Sequence, residues 1–516
     1  MKKACFVVVL LSKTNSLFVI RGNATDTNKI TVKIHYTGRT DYTNWNVWVW
    51  NDEMANQVDF EDEANGKVAT IELDNARANQ YLKFIVREGE WDSQEFGDRV
   101  IDLSDMLAGT AHVYVTSGQE AFTRTLDTDA LLGVKIKRAD YDRENNQVIV
   151  QTALPVEGEL ESAFTFDCVT DEREFTISSV GYKYEDGINK YTLKLNDDIT
   201  SLENVIKYYM VGFEGHEYKV YMPNVYSTSE FEEEYNYDKK DLGATWTETE
   251  TTFKVWAPTA DDVKLNLYET GSAPLKENEI GNKEEPEDIT ENPYDIVQMT
   301  RGEGDEKGVW TATVQGDLHG EYYTYSVSIG GETTEACDPY ARTTGVNGKR
   351  AMVINLDSTD PEGWDKDVSP NQSMNQTDAI IYELHVRDLS IDENSGITNK
   401  GKFLGVTETG TKNSTGQATG LDHIIDLGVT HIHFLPIYDY GSVDEANLET
   451  PQFNWGYDPV NYNVPEGSYS TDPYNGEIRV EELKEMVQTL HENNINVIMD
   501  VVYNHVYDAG TFCFNE

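Results

Sequence analysis

Cysteine is scarce in this 516-residue chain: Cys5, Cys168, Cys337 and Cys513 are the only four, and they lie far apart. No pair has the spacing of a metal-ligand set or a redox motif, and the four give no disulfide framework. The redox compartment is left open. Basic residues are also few, 41 against 92 acidic ones, for a formal charge of −51. Phosphate neutralisation takes Lys and Arg, so nucleic acid is excluded as a partner. A soluble protein with an uncharged ligand fits this balance. Long apolar runs are missing too. Ala4 to Leu11 is far shorter than the roughly 20 residues that cross a bilayer, and nothing later is better, so no membrane span is expected. Behind Lys2 and Lys3, and ahead of the small residues Gly22-Asn23-Ala24, that run reads as a secretory signal over residues 1–24, interrupted by Lys13 and Arg21. The expectation is a secreted or cell-surface protein, with a cytoplasmic one as the alternative.

Aromatic residues are plentiful, with 30 Tyr and 9 Trp. Flat, half-polar rings can cover the apolar faces of sugars, although most of the tyrosines are better read as sheet filling. The length predicts several domains. From Ile30 to about Ser117, Ile30, Val32, Ile34 and Tyr36 alternate with Thr31, Lys33 and His35, the period of a strand. A second strand candidate, Asn44 to Trp50, puts Trp48 and Trp50 on one face with Asn44 and Asn46. Trp45, Val47 and Val49 point the other way and make the better core face. A β-sandwich over residues 25–118 is predicted. Residues 119–228 read as a second sandwich with no motif attached to chemistry. Phe231 to Tyr235 reads as an acidic linker into a third, over residues 229–360, whose insert around Lys276 to Glu291 reads as a solvated loop.

From Asp378 the period changes. Ala379 to Tyr382, Thr430 to Leu435 and Asn496 to Val502 read as strands, and two helices separate them. One is marked by Leu421, Ile424, Ile425 and a Gly428 cap, the other by Val480, Leu483, Met486, Val487 and Leu490. Strand–helix alternation of this kind begins a parallel α/β fold. In the last stretch, IMDVVYNHVYD, Asp500 follows an apolar run read as a strand buried on both faces. Asn504 and His505 follow it, a polar cluster where an α/β barrel keeps its chemistry.

Four stretches carry a family resemblance. Phe231 to Tyr268 resembles the leading domain of type I pullulanases, debranching members of the α-amylase superfamily (glycoside hydrolase family 13). Asp378 to Ser390 is similar to their first barrel strand. FNWGYDPVNYNVPEGSYS, Phe453 to Ser470, is similar to the YNWGYDP signature, with Phe453 where tyrosine is usual. DVVYNH, Asp500 to His505, matches the superfamily's first conserved region. Trp45, Trp48 and Trp50, with REGEWD from Arg87 to Asp92, resemble a family 41 carbohydrate-binding module. The resemblance implies that Trp48 and Trp50 stack on glucose. It puts Asp92 in the place of a hydroxyl-binding aspartate and Arg87 where lysine is usual, and the two cations present their donors differently. The alternative is that these rings face the core.

By the same resemblance the third sandwich is family 48-like, and residues 361–516 begin an α-amylase-type (β/α)8 barrel with about three of its strands. The fold class is then three immunoglobulin-like β-sandwiches followed by part of a TIM barrel. Tyr457 would stack under the glucose beside the scissile bond, and His505 would bind near that sugar's 6-hydroxyl. Asp500 would order the floor of the site. Asn504 would support the loop or bind calcium. Trp455 reads as core packing, and His385 and Asp388 as structural. The family's nucleophile and acid come from the fourth and fifth strands, so no catalytic residue is assigned here. The chain therefore reads as an N-terminal fragment, inactive alone, of an enzyme that hydrolyses α-1,6 bonds with retention in pullulan, starch, amylopectin or glycogen-derived dextrins. No cofactor is required, and calcium is possible. Rival readings are a non-catalytic starch-binding protein and an amylopullulanase with further domains.

Overall fold

The computed structural model describes residues 29–508 apart from 40, 52–53, 65, 74–80, 90–92, 128–129, 133, 157, 186, 215, 278–282 and 285–291. The signal read over residues 1–24 and Asp92 lie outside the described residues. The chain divides into two units, Met1–Pro223 and Asn224–Glu516.

The first unit holds two sandwiches. In the first, β1 (Ile30–Thr37) pairs in parallel with β8 (Met106–Thr116) and antiparallel with β5 (Gly66–Leu73), which is edged by β4 (Glu61–Glu63). The facing sheet runs β3 (Ala55–Asp59), β2 (Trp45–Trp50), β6 (Tyr81–Glu88), β7 (Ser93–Asp102). Alternation decides which side chains meet. Ile30, Val32, Ile34 and Tyr36 of β1 enter one core with Trp45, Val47 and Val49 of β2 and Phe84 and Val86 of β6. Each fully buried aliphatic side chain there contributes about 1.5–3 kcal/mol. The sheet does not stop at residue 118. β9 (Phe122–Leu126) and β10 (Leu131–Leu132) also pair with β8, so the first sandwich runs on to Leu132.

The second sandwich pairs β11 (Ile136–Asp142), β12 (Gln147–Thr152), β16 (Ile188–Leu195) and β15 (Ile177–Glu185), in that spatial order. Its facing sheet is β14 (Arg173–Phe175), β13 (Phe164–Cys168), β17 (Tyr209–Phe213), β18 (His216–Lys219). Phe166 and Tyr209 stack at 5.2 Å within that sheet, and Phe164 meets Tyr191 across the core at 5.4 Å. One helical turn, α1 (Leu202–Val205), joins β16 to β17.

The second unit opens on a helix where the sequence suggested a linker. In α2 (Ser229–Tyr235) the Thr228 hydroxyl accepts from the Phe231 N–H. The i, i+4 pair Phe231 and Tyr235 is buried, and Trp256 Nε1 donates to the Tyr235 carbonyl. A capped helix with an apolar stripe explains the difference. The third sandwich follows. One sheet is β19 (Gly243–Trp246), β20 (Glu250–Trp256), β26 (Val309–Gln315), β25 (Thr300–Arg301). The other is β24 (Asp295–Gln298), β21 (Asp262–Tyr268), β27 (Tyr322–Ile329), β28 (Glu332–Ala336), with β29 (Ala351–Met352) beside β27. Within the insert, β22 (Lys276–Glu277) pairs β23 (Lys283–Glu284).

The barrel portion is a three-stranded parallel sheet, β30 (Ile381–Leu384), β31 (His431–Phe434) and β34 (Asn496–Met499). Helices α3 (Val386–Ser390), α4 (Phe403–Thr407), α5 (Gly420–Leu427) and α6 (Gly476–Glu492) accompany it. The strand pair β32 (Tyr438–Tyr440) and β33 (Pro459–Pro465) lies between β31 and α6 in sequence. One face of the sheet, through Leu384, Ile432 and Phe434, joins a core with Leu421, Ile424, Met486 and Leu490 of the helices. The strands are not apolar on both faces. By register the other face carries Glu383, His433 and Ile498, with Asp500 two residues beyond. The last strand also stops before Val502, whose N–H donates to the Tyr438 hydroxyl instead of a ladder partner.

Candidate functional site

On the first sandwich, Trp48 and Trp50 are half-buried on the outer face of β2, while Trp45 sits in the core. Arg87 pairs with Asn46 across the ladder to β6. Its guanidinium lies 4.7 Å from the Trp48 ring centroid. It donates through Nε to Asn46 Oδ1 at 2.9 Å and through Nη2 to Gln57 Oε1 at 2.8 Å. Arg87 is only 3% exposed. This corrects its expected part: it underlies the Trp48 ring and is not presented to a ligand's hydroxyls. The cation offered at the surface is Lys83, whose Nζ lies 5.9 Å from the Trp50 ring. The remaining candidate on this sandwich, Asp92, is among the residues not described.

In the barrel portion, the carboxyl ends of the strands bring three expected residues together. Gly456, at φ +86°, makes the turn before Tyr457, and a Cβ there would meet the Pro436 carbonyl oxygen at 2.9 Å. The turn aims the Tyr457 hydroxyl at Asp500, to which it donates at 2.8 Å. Burial, and next the Asp500 carboxylate, push the phenol up to about 12. From the loop after β34, His505 Nε2 donates to the Tyr457 carbonyl at 2.5 Å. Asn504, one residue earlier, is exposed.

Two further groups were not picked out from the sequence. His433 Nε2 lies 3.5 Å from Asp500 Oδ2, and its Nδ1 lies 3.8 Å from Glu383 Oε2. Only their equal register on neighbouring strands betrays them. Trp455 is not core packing: it is 60% exposed, as the NWGYDP loop carries it over the surface. Phe453 is exposed and stacks on His385 at 5.6 Å. His385 is buried, donates to the Asn454 carbonyl and accepts from the Asp388 N–H, a loop-fixing part. The arrangement offers rings, a carboxylate and imidazoles on one rim, which suits a polyhydroxylated ligand.

Behind the rim, Asp439, Glu445 and Glu466 are fully buried, with oxygens within 4.8 Å of one another, a cluster that could hold a cation. Arg479 of α6 already stands among them, donating to Glu445 at 3.0 Å and approaching Asp439 at 3.5 Å. Burial raises the carboxyls of Asp439 and Glu466, with Glu445's charge adding to it. The Arg479 guanidinium therefore meets part of the charge that a metal would otherwise balance.

Comparison with known proteins follows this division of the chain. Residues 30–124 match the bacterial pullanase-associated domain, 241–341 carbohydrate-binding module 48 (isoamylase N-terminal domain), and 399–514 the α-amylase catalytic domain. A pullulanase of Bacillus subtilis (strain 168) is 39% identical over 302 residues, covering 58% of this chain and 38% of its own length. The crystal structure of a Paenibacillus barengoltzii pullulanase in complex with maltohexaose and α-cyclodextrin is similar at 51% identity and TM-score 0.50. It covers 56% of this chain and 41% of that one. A pullulanase structure from Anoxybacillus sp. LM18-11 is similar at 36% identity and TM-score 0.56, covering 73% of this chain and 49% of that one. The chain thus spans less than half the length of these relatives.

The domain series resembles that of α-amylase-superfamily glycoside hydrolases, with a carbohydrate-binding module 48 match ahead of an α-amylase catalytic-domain match. The relatives and solved structures to which the chain is similar are pullulanases.

Proposed function

We propose that this chain supplies the polysaccharide-binding modules and the first part of the catalytic barrel of an α-glucan debranching enzyme, one that hydrolyses α-1,6 bonds in pullulan, starch, amylopectin or glycogen-derived dextrins. The observation that carries this reading is the convergence of Tyr457, Asp500 and His505 at the carboxyl ends of parallel strands, where barrels of this kind hold their substrates. In this reading the Tyr457 ring is the floor for one glucose. Asp500 fixes the tyrosine hydroxyl, and His505 holds the Tyr457 backbone and presents its other nitrogen to the sugar. Trp48 and Trp50 bind the polymer.

Hydrolysis with retention takes two carboxyl groups about 5–5.5 Å apart, one a nucleophile and the other an acid. No described residue is given either part. Asp500 is committed to positioning, and the family's nucleophile and acid come from later strands. No cofactor enters this chemistry. Calcium at the Asp439 trio would have to displace or share with Arg479. A polymeric substrate fits export from the cell, the reading of residues 1–24; a cytoplasmic enzyme acting on stored glucan is the alternative. Reducing ends released from pullulan by the protein expressed from its complete reading frame test the proposal. Turnover that falls sharply with Tyr457→Ala and with His505→Ala supports it. Turnover indifferent to both removes the site.

A further inference from the structure

The second sandwich has an aromatic surface with the same strand spacing as the tryptophan pair. Tyr182 and Tyr184 occupy alternate positions of β15, the edge strand of its sheet. They share one face, about 7 Å apart along the strand. Across the ladder Tyr182 opposes Tyr191 and Tyr184 opposes Asn189. Tyr191 is 1% exposed, Tyr182 48% and Tyr184 64%. The face that forms the core at β16 therefore comes into the open at β15. This is more than loose sheet filling. The Tyr182 ring packs 5.1 Å from Tyr191, and its hydroxyl donates to Asn189 Oδ1 at 2.9 Å. Asn189 is in turn held by donating to the Thr152 and Ala153 carbonyls. A ring pinned at both ends loses little freedom when it takes a ligand.

The chemistry of the face names the occupant's class. It offers phenol rings with an amide behind them. The nearest charges, Lys183, Lys190 and Glu185, are matched to one another at 2.6 and 3.5 Å. Among the described residues no group there would hold an anion or a cation, and a second copy of a chain with formal charge −51 is repelled. Resting on the glucan-binding reading given above, we infer that Tyr182 and Tyr184 form a second α-glucan platform, stacking on glucose units as Trp48 and Trp50 do. A polymer engaging both platforms gains avidity through effective concentration.

Native electrophoresis of the whole chain through gels containing pullulan or amylopectin tests this, with W48A/W50A, Y182A/Y184A and the fourfold variant compared. The fourfold variant is expected to bind at least fivefold more weakly than W48A/W50A. Y184A alone, at the most exposed position, is expected to weaken binding at least twofold in that background with an unchanged thermal melt. Equal mobility of the fourfold variant and W48A/W50A in every gel overturns the proposal. So does a concentration-dependent mobility in glucan-free gels that Y182A/Y184A abolishes, which would make the tyrosines a contact between copies. If W48A/W50A migrates as wild type while Y182A/Y184A runs free, the tyrosine platform stands and the reading of the first sandwich falls.

Discussion

The tryptophan face of the first sandwich and the Tyr457–Asp500 cluster of the barrel are both aromatic surfaces backed by polar groups, but they are built differently. Trp48 and Trp50 lie two residues apart on one strand, and Arg87, Asn46 and Gln57 beneath Trp48 come from the same small sheet. The barrel cluster draws on Glu383, His433, Tyr457, Asp500 and His505, from two strands and two loops. A binding face can be completed inside one module. A reacting site is assembled over long sequence separations and depends on the register of every strand beneath it.

Substitutions that separate the two regions should follow that contrast. The largest effect is expected from Asp500→Ala in the enzyme expressed from its complete reading frame. On the proposed reading, freeing the Tyr457 hydroxyl misplaces the floor for the sugar, and displacements on the scale of 1 Å cost about 10²-fold. kcat/KM on pullulan should fall by that order, while retardation by amylopectin stays as in wild type. Next is Trp48→Ala with Trp50→Ala. Losing a central aromatic contact costs about 2 kcal/mol or more, roughly 30-fold in affinity, and turnover of short soluble oligosaccharides should not change. Arg87→Met comes third. It leaves Asn46 and Gln57 without their buried partner, at about 1–3 kcal/mol of stability, read by urea denaturation, and weakens glucan retardation only severalfold. If Arg87→Met abolished binding with stability intact, the guanidinium would be a ligand group after all.

Alkaline titration of wild type against Tyr457→Phe probes the barrel cluster. The folded-state phenol of Tyr457, raised to about 12 from 10, stabilises the fold fully below pH 10. That contribution is lost as pH rises through about 12. The phenolate absorbance missing from Tyr457→Phe should therefore appear near pH 12, and should move lower in Asp500→Asn. The smallest effect is expected for Trp455→Ala, within about 0.5 kcal/mol of wild-type stability, because the ring is exposed.

Period-two patterning made the first region legible: alternation alone sorts Trp45, Val47 and Val49 from Trp48 and Trp50. Motifs marked Tyr457, Asp500 and His505. The partners of these residues were not legible, because partnership is set by register. Glu383 and His433 are 50 residues apart and meet only because β30 and β31 pair as they do. The burial of Arg87 depends on Gln57 from a neighbouring strand. Arg479 gathers Asp439 and Glu445, 40 and 34 positions away, with no local signal. The helix α2 is a different case. Thr228 ahead of an acidic first turn, with Phe231 and Tyr235 four apart, is a readable start signal that the run of glutamates obscured.

The central claim is the linkage that the assembled site cleaves, and the products of pullulan digestion test it most directly. Pullulan joins maltotriose units by α-1,6 bonds. Chromatography of the digest made by the protein from its complete reading frame should therefore show maltotriose, and Asp500→Ala should suppress it. Panose or isopanose as the main product would mean that α-1,4 bonds are cut, and would contradict the debranching account.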